Sequence, residues 1–481
     1  MAFSITLASL WTILGELFYW IYALVVVILI LVVVLGNRTP AKTMAWVLVL
    51  TFLPVAGVVL YIIFGRDNHK KRLISRHSLS RLSQKSLRNY EQQPHDPWPQ
   101  EFAPLIAFFK NVNMSLPFAG NEVEIYTQGL SMLHSLLREI YRAKDHIHIQ
   151  FYIFANDATG RLVRDALFDA AARGVEVRLL YDDVGCWSVP GRFFDEMRAG
   201  GVDARGFFRV RFPLFTSKVN YRNHRKLVVI DGVTGFVGGM NIADRYMKGV
   251  PWGIWRDTHL LIKGCAVYGL QTSFLADWYF TDGSMITARK YYPPCNHTRG
   301  ALVQIVTSQP IGQWRDIMRG LVMVFNRARR YIYVETPYFM PGDSVMQALQ
   351  NSALAGVDVR VMIPEKSDSI FTQLASFSYL GDLLRAGVKV YLYKKGFLHS
   401  KMIVSDDSVA TVGSTNVDFR SFDYNFEVNA FVYDEPLAMR MKGIFMEDQR
   451  DSYMLTLKMY QERGRWRKVK ESFIRLLSPI L

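Results

Sequence analysis

His224-Arg-Lys-Leu-Val-Val-Ile-Asp231 and His399-Ser-Lys-Met-Ile-Val-Ser-Asp406 are two copies of one pattern, His-x-Lys-x4-Asp. In each copy an apolar run follows, which reads as a buried strand. Histidine and lysine share the strand period of two, so both side chains point to one face. Asp231-Gly232 and Asp406-Asp407 then start turns. These two aspartates belong to the motif but are expected to cap the turn rather than touch a ligand. The chain returns through Gly235-Phe-Val-Gly-Gly-Met-Asn241 and Ala410-Thr-Val-Gly-Ser-Thr-Asn416, where small residues permit close backbone approach. One copy of so short a pattern arises by chance; two copies in the same local setting do not.

The duplication extends outward from the motifs. His146–Ile153 is a strand-like run, residues 160–173 have helical amphipathicity, and Gly174-Val-Glu-Val-Arg-Leu-Leu180 is a second strand. Tyr331–Glu335, residues 343–355 and Gly356-Val-Asp-Val-Arg-Val-Met362 repeat that order. Alternating strands and helices predict an α/β fold made of two α/β/α sandwich halves. The halves are expected at 102–300 and 301–481, related by a pseudo-twofold that brings both motifs into one site.

The residue types suit phosphorus chemistry. Lys226 and Lys401 supply positive charge, and His224 and His399 suit a displacement at phosphorus in two steps. Asn241, Asn416 and Ser414 can donate to phosphate oxygens. A nucleophilic imidazole needs an acceptor on its other nitrogen. Asp257 follows the first motif and Glu427 the second, each on the next strand-like run. Asp257 is therefore expected to orient His224, and Glu427 to orient His399. No metal site is read: His146 and His148 lack a third ligand and are expected to be structural.

The chain has 481 residues, 57 Lys+Arg and 42 Asp+Glu, a net charge of +15 that favours an anionic partner. Cys186, Cys265 and Cys295 are widely separated, and unpaired cysteines in a reducing compartment are expected. Leu17–Leu35 is uncharged and about long enough to cross a bilayer core. Thr43–Gly65 is a second uncharged run, with Pro54 and Gly57 inside it. Residues 1–65 are thus expected to form an anchor with transmembrane helices at 17–35 and 43–65. A basic linker over 66–101 follows. Arg66, Lys70, Lys71, Arg72, Arg76, Arg81 and Lys85 place the large body in the cytoplasm by the positive-inside rule. Phe207–Tyr221 and the helical run Ser369–Leu380 are candidates for a lipid entrance, the second more simply explained as a packed helix.

The paired motifs resemble the phospholipase D superfamily. The hairpin, Asn37–Lys42, Phe64-Gly-Arg66, Asn223–Lys226, Gly239–Ile242, Trp255–Asp257, Thr336–Phe339, Gly413–Phe422 and Arg475–Leu481 look like bacterial cardiolipin synthases in particular. The resemblance covers essentially the whole chain. It implies two phospholipase D-type halves behind a multi-pass anchor in the bacterial inner (cell) membrane. It also implies transfer of a phosphatidyl group from one phosphatidylglycerol to another, giving cardiolipin and glycerol through a phosphohistidine, without cofactor or metal. Superfamily precedent makes His224 the nucleophile and His399 the acid and base. The acceptor is not legible in the motif. A membrane-bound hydrolase would use water there, and another phosphatidyltransferase a different alcohol. A nuclease of the superfamily would also explain the basic charge, but the anchor favours anionic lipid over nucleic acid. Two intact motifs argue against a mere scaffold. One chain suffices for the site, so a homodimer is compatible with it but not required.

Overall fold

The computed structural model describes residues 7–36, 40–53, 55–61, 98–208, 221–295, 300–310 and 312–478. Most of the expected linker, Arg66 included, and residues 209–220 of the first entrance candidate lie outside them, as do residues 37–39 of the hairpin turn.

The chain divides into two compact units, Met1–Asn68 with Val210–Asn220, and His69–Arg209 with Tyr221–Leu481. In the first unit, Leu7–Leu35 is one apolar helix, of which Trp11–Leu35 is long and apolar enough to cross a membrane. The second run differs from expectation. It is divided into Pro40–Phe52 and Ala56–Leu60 rather than forming one span over 43–65. Pro54 lacks the N–H that a continuous helix would use, and Val55 takes a positive φ of 60° at the break. Val33, Leu50 and Tyr61 are buried together between these helices.

The second unit is built on one 16-stranded sheet. Strands Pro117–Tyr126 and Ala301–Ser308 pair antiparallel at its centre, and each opens one half of the duplication. Moving outward, the first half continues through His259–Lys263, Thr234–Gly238, Leu227–Ile230, His146–Phe151, Glu176–Asp182 and Val202–Phe207. The second half continues in the same order through Asn425–Tyr433, Val409–Gly413, Met402–Ser405, Tyr331–Glu335, Asp358–Pro364 and Lys389–Tyr393, with Ser452–Leu455 added at the edge. Apolar side chains of both halves fill a shared central core with helices Val267–Asp282 and Glu435–Arg450. The opposite faces carry separate cores. Both halves are therefore α/β/α layers, as the alternation of strands and helices predicts. The helix Ala103–Asn113 departs from the expected boundary at 102. Its Leu105, Ile106 and Phe109 join the second half's core.

Two local readings need revision or refinement. Cys265 and Cys295 form a disulfide, whereas unpaired cysteines were expected; only Cys186 is free, and it is buried. The chain leaves helix Val267–Asp282 and returns past the short turn Arg289–Tyr291, where Pro293 O accepts from Tyr268 Oη. That return places Cys295 beside Cys265, two residues before the helix begins. His146 and His148 are core residues whose ring nitrogens face Asp145, Gln271 and Arg178.

Candidate active site

Around the first motif, Asn223 Nδ2 and Arg225 Nη1 both donate to Asp277, at 2.9 and 2.6 Å. Arg222 belongs to the short strand Arg222–Asn223, and His224 and Lys226 lie in the link between it and Leu227–Ile230, not within one strand as expected. Arg222 and His224 line a cavity of about 250 Å³, while Lys226 Nζ donates to His224 O at 2.6 Å. The same cavity is lined by His399, Asn241 and Asn416. The expected convergence of the two motifs on one site is thus present.

The carboxylates are crossed relative to expectation. Glu427 accepts from His224 Nδ1, at 3.0 and 3.2 Å for its two oxygens. Asp257 Oδ2 lies 2.6 Å from His399 Nδ1. Each imidazole is therefore held by the acid of the other half. The cause is an exchange of short parallel strands. Arg222–Asn223 pairs with Asn425–Phe426, and Gly396–Leu398 pairs with Ile254–Arg256. His224 N then donates to Phe426 O at 2.9 Å, and His399 N to Arg256 O at 2.6 Å. The residue after each acceptor is the orienting acid. Gly239 makes room for this on the first side, because a Cβ there would lie 2.1 Å from Asp257 Oδ1. With Nδ1 tied to a carboxylate, Nε2 of each ring is the nitrogen left for a substrate.

Burial dominates the electrostatics. It pulls His224 down to about 4, with Lys226 and Lys401 adding to the fall against the pull of Glu427. His399 falls to about 3, again by burial first and then by Lys401, whose Nζ lies 2.9 Å from His399 Nδ1. Lys401 is pushed down to about 8 by burial despite nearby acids, and Lys226 too is held well below the usual lysine range, by burial before all else. An anion entering this cavity offsets the lysine charges and favours protonation of lysines and imidazoles alike.

Other expected site residues separate into two groups. Asn241 lines the cavity, its Oδ1 accepting from Ile153 N at 3.0 Å and its Nδ2 donating to Tyr246 Oη at 2.5 Å. Asn416 lines it with a buried Oδ1 that has no partner. Ser414 is not free to meet phosphate: its hydroxyl donates to Glu427 and accepts from Val428 N. It supports the orienting acid instead. Asp231 and Asp406 lie at the far ends of the motif strands. Asp231 accepts from the amides of Lys144, Asp145 and His146, and Asp406 from those of Arg329, Arg330 and Tyr331. Both are turn residues, as the Asp-Gly and Asp-Asp turn chemistry indicates, and neither belongs with the catalytic groups.

Several lining residues were not singled out from sequence. Tyr152, Arg222, Arg245 and Arg420 add aromatic and cationic walls. Arg222 was legible from its place two residues before His224. Trp255 is buried in the cavity wall with its Nε1 unpartnered, its ring 5.0 Å from that of His399. Indole N–H is donor only, so it calls for an acceptor such as a phosphate oxygen.

A family described as "Cardiolipin synthase, PLD-like domain" matches residues 136–250 and 321–449, one match over each motif. The chain belongs to this cardiolipin synthase family of phospholipase D-like proteins. An N-terminal family of phospholipase D nucleases matches 18–66, over the apolar helices. The chain is 39% identical over 471 residues to a major cardiolipin synthase of Bacillus subtilis, covering 96% of this chain and 98% of that protein. It is 40% identical over 460 residues to a cardiolipin synthase of Listeria innocua, covering 93% and 95%. Among solved structures, a phosphatidylserine synthase of Haemophilus influenzae is similar at a TM-score of 0.59 and 14% identity, covering 79% of this chain and all of that one. That likeness concerns the fold. Membership of the cardiolipin synthase family, with the apolar helix Leu7–Leu35, makes this a membrane-associated enzyme.

Proposed function

We propose that the protein is a cardiolipin synthase that transfers the phosphatidyl group of one phosphatidylglycerol to the glycerol hydroxyl of a second. The observation that carries this reading is the pair of imidazoles in one cavity, each with Nδ1 held by a buried acid of the opposite half. His224 Nε2 attacks phosphorus. The bond to the glycerol headgroup breaks, and protonated His399 gives its proton to the departing oxygen. The product of this half-reaction is phosphatidyl-His224 and free glycerol. Neutral His399 then takes the proton from the hydroxyl of the second phosphatidylglycerol, whose oxygen displaces His224 and forms cardiolipin. General acid–base help of this kind typically gives 10²–10⁴-fold.

Empty, the cavity keeps both imidazoles neutral, which suits His224 as nucleophile. The negative charge of the bound phosphodiester is what raises His399 towards its protonated form. Lys226, Lys401, Asn241, Asn416 and Trp255 are the groups assigned to the phosphate oxygens and the charge developing on them. Asp257 and Glu427 are positioning residues. At about 250 Å³ the cavity suits a headgroup, leaving the acyl chains outside.

Lipid rather than nucleic acid is the anionic partner on this reading, and the site needs neither metal nor cofactor. The anchor would be multi-pass in the bacterial cell membrane, with the body on the cytoplasmic side. The basic run between Arg66 and Lys85 supports that orientation.

Labelled phosphatidylglycerol given to the purified protein tests the reaction. Cardiolipin with equimolar glycerol is expected. Phosphatidic acid alone would make the protein a hydrolase, with water in place of the second lipid. Addition of phosphatidylethanolamine would reveal a different acceptor.

A further inference from the structure

The helix Arg465–Leu477 carries its apolar residues on the wrong side for a soluble surface. Trp466 is 80% exposed, Phe473 67% and Leu476 76%, and Val469 and Leu477 are also exposed. At 3.6 residues per turn these five fall within an arc of about 100°. Arg465 borders that arc on one side and Lys470 on the other, and both are exposed.

The inward face is mainly polar, with Ile474 partly buried against the second half's core. Glu471 is buried there and paired with Arg463 at 2.6 Å and Arg467 at 3.0 Å. Arg467 lies over the ring of Phe377, and Arg475 over that of Tyr379. Arg475 also reaches Asp382, at 3.1 Å. These contacts fix the helix on Ile370–Arg385 and hold its apolar stripe outward.

We propose that this stripe is an interfacial membrane contact of the catalytic body, additional to the N-terminal anchor, with Trp466, Phe473 and Leu476 embedded at the headgroup boundary of an anionic bilayer. An exposed apolar stripe edged by cations is the pattern of a helix lying in the interface plane. Charge decides between the two occupants that could cover it. In a self-paired dimer the Arg465 and Lys470 borders would face cations of the second copy, whereas anionic headgroups attract both borders. The contact does not depend on the reaction assigned above.

The full chain with Phe473→Cys, labelled with an environment-sensitive fluorophore, tests this in vesicles. Cys186 is buried and the other two cysteines are disulfide-bonded, so the label reports position 473. Phosphatidylcholine vesicles with and without phosphatidylserine keep the measurement free of turnover. With phosphatidylserine, the label is expected to shift to the blue and to be quenched by spin-labelled lipid. Protection from aqueous iodide should rise roughly fivefold or more, and Arg465→Glu with Lys470→Glu should reverse it. Equal iodide access with and without anionic lipid, in a label that lipid-borne quenchers do not reach, overturns the proposal. So does protection accompanied by energy transfer between labels on two chains, which would mean that a second copy covers the stripe. Trp466→Cys, labelled in the same way, must give the same answer. Because no product is measured, failure here leaves the phosphatidyl transfer untouched, and failure of the transfer leaves this result standing.

Discussion

The two halves of the duplicated body place the same motif in different surroundings. In the first, His224 is held by Glu427, whose carboxylate also accepts from Ser414 and from Asn425 Nδ2 at 3.1 Å. In the second, His399 Nδ1 lies 2.6 Å from Asp257, but Lys401 Nζ stands 2.9 Å from the same nitrogen. Trp255, Phe397 and Tyr246 surround the His399 ring. Burial and the Lys401 cation at Nδ1 weaken proton binding by His399, which suits the proposed role of giving a proton to a leaving group. Glu427, fixed by several donors, holds the His224 ring, which suits the nucleophile's role proposed for it. The two motifs match in their His, Lys and Asp, and on the proposed mechanism it is this difference in environment that would separate acid from nucleophile.

The strongest way to break this comparison is to remove the need for an acid. With phosphatidylglycerol, His224→Ala and His399→Ala should each abolish transfer. With a phosphatidyl ester of p-nitrophenol, whose anion leaves without a proton, His399→Ala should regain release of the phenol. The general-acid contribution, on the order of 10²–10⁴-fold, is no longer needed in that substrate. His224→Ala should stay inactive with both substrates. The reverse outcome would exchange the two roles.

Next in size is the crossed orientation. Glu427→Gln and Asp257→Asn remove the charge that fixes each tautomer, a change that costs about 10⁴ in a serine protease triad; a loss of roughly 10²–10⁴-fold is expected here. Ring ¹⁵N resonances separate the pairs. Glu427→Gln should move the His224 signals and lower its already depressed pKa, leaving His399 in place, and Asp257→Asn should do the converse. Were each acid to affect the histidine of its own half, the strand exchange would be wrong.

That exchange marks the limit of what the sequence discloses. Turn chemistry was enough to assign Asp231 and Asp406 to turns, whereas His224 and Lys226, expected on one strand, fall in the link between Arg222–Asn223 and Leu227–Ile230. The repeat Gly174–Leu180 against Gly356–Met362 revealed two α/β halves. The partners of Glu427 and Asp257 were not legible, because the pairings of Arg222–Asn223 with Asn425–Phe426 and of Gly396–Leu398 with Ile254–Arg256 are parallel contacts between distant segments. No local pattern specifies them. Ser414 was misread for a related reason: a hydroxyl beside a glycine looks available until the fold lays Glu427 against it. A single helix was expected over 43–65, yet it is divided between Phe52 and Ala56, and the packing of Leu50 with Tyr61 is a tertiary fact.

A smaller effect separates the lysines. Lys401 sits at about 8 in the empty site, and only the ammonium form attracts phosphate. As pH rises through about 8 the proton is lost, so kcat/KM, which reports the free enzyme, should fall on the alkaline side. kcat should fall less, since bound phosphate keeps Lys401 charged. Lys401→Arg keeps its charge at any working pH and should remove the alkaline limb, even if arginine's different shape lowers the rate. Persistence of the limb in that variant would place it on another group.

The smallest predicted difference lies at the two turns that end the motif strands. Both second turn residues are left-handed, Gly232 at φ 67° and Asp407 at φ 54°. In the first half Tyr291 and Pro293 cover the turn, and a Cβ on Gly232 would come 2.5 Å from Pro293 Cδ and 2.7 Å from Tyr291 O. In the second half the Asp407 carboxylate is instead met by Lys442 at 3.0 Å, Arg330 at 2.9 Å and Tyr331 Oη at 2.8 Å. A side chain is thus forbidden at one turn and used at the other. Gly232→Asp should destabilise the body by about 2–3 kcal/mol, combining the left-handed penalty with overpacking. Asp407→Gly relieves a similar backbone penalty while losing partly exposed ion pairs that are individually weak, so it should change stability by less than about 1 kcal/mol. Urea midpoints of the detergent-solubilised chain measure both. If the two exchanges were equally tolerated, the return of the chain across the first turn, and with it the position of Cys295 beside Cys265, would have to be redrawn.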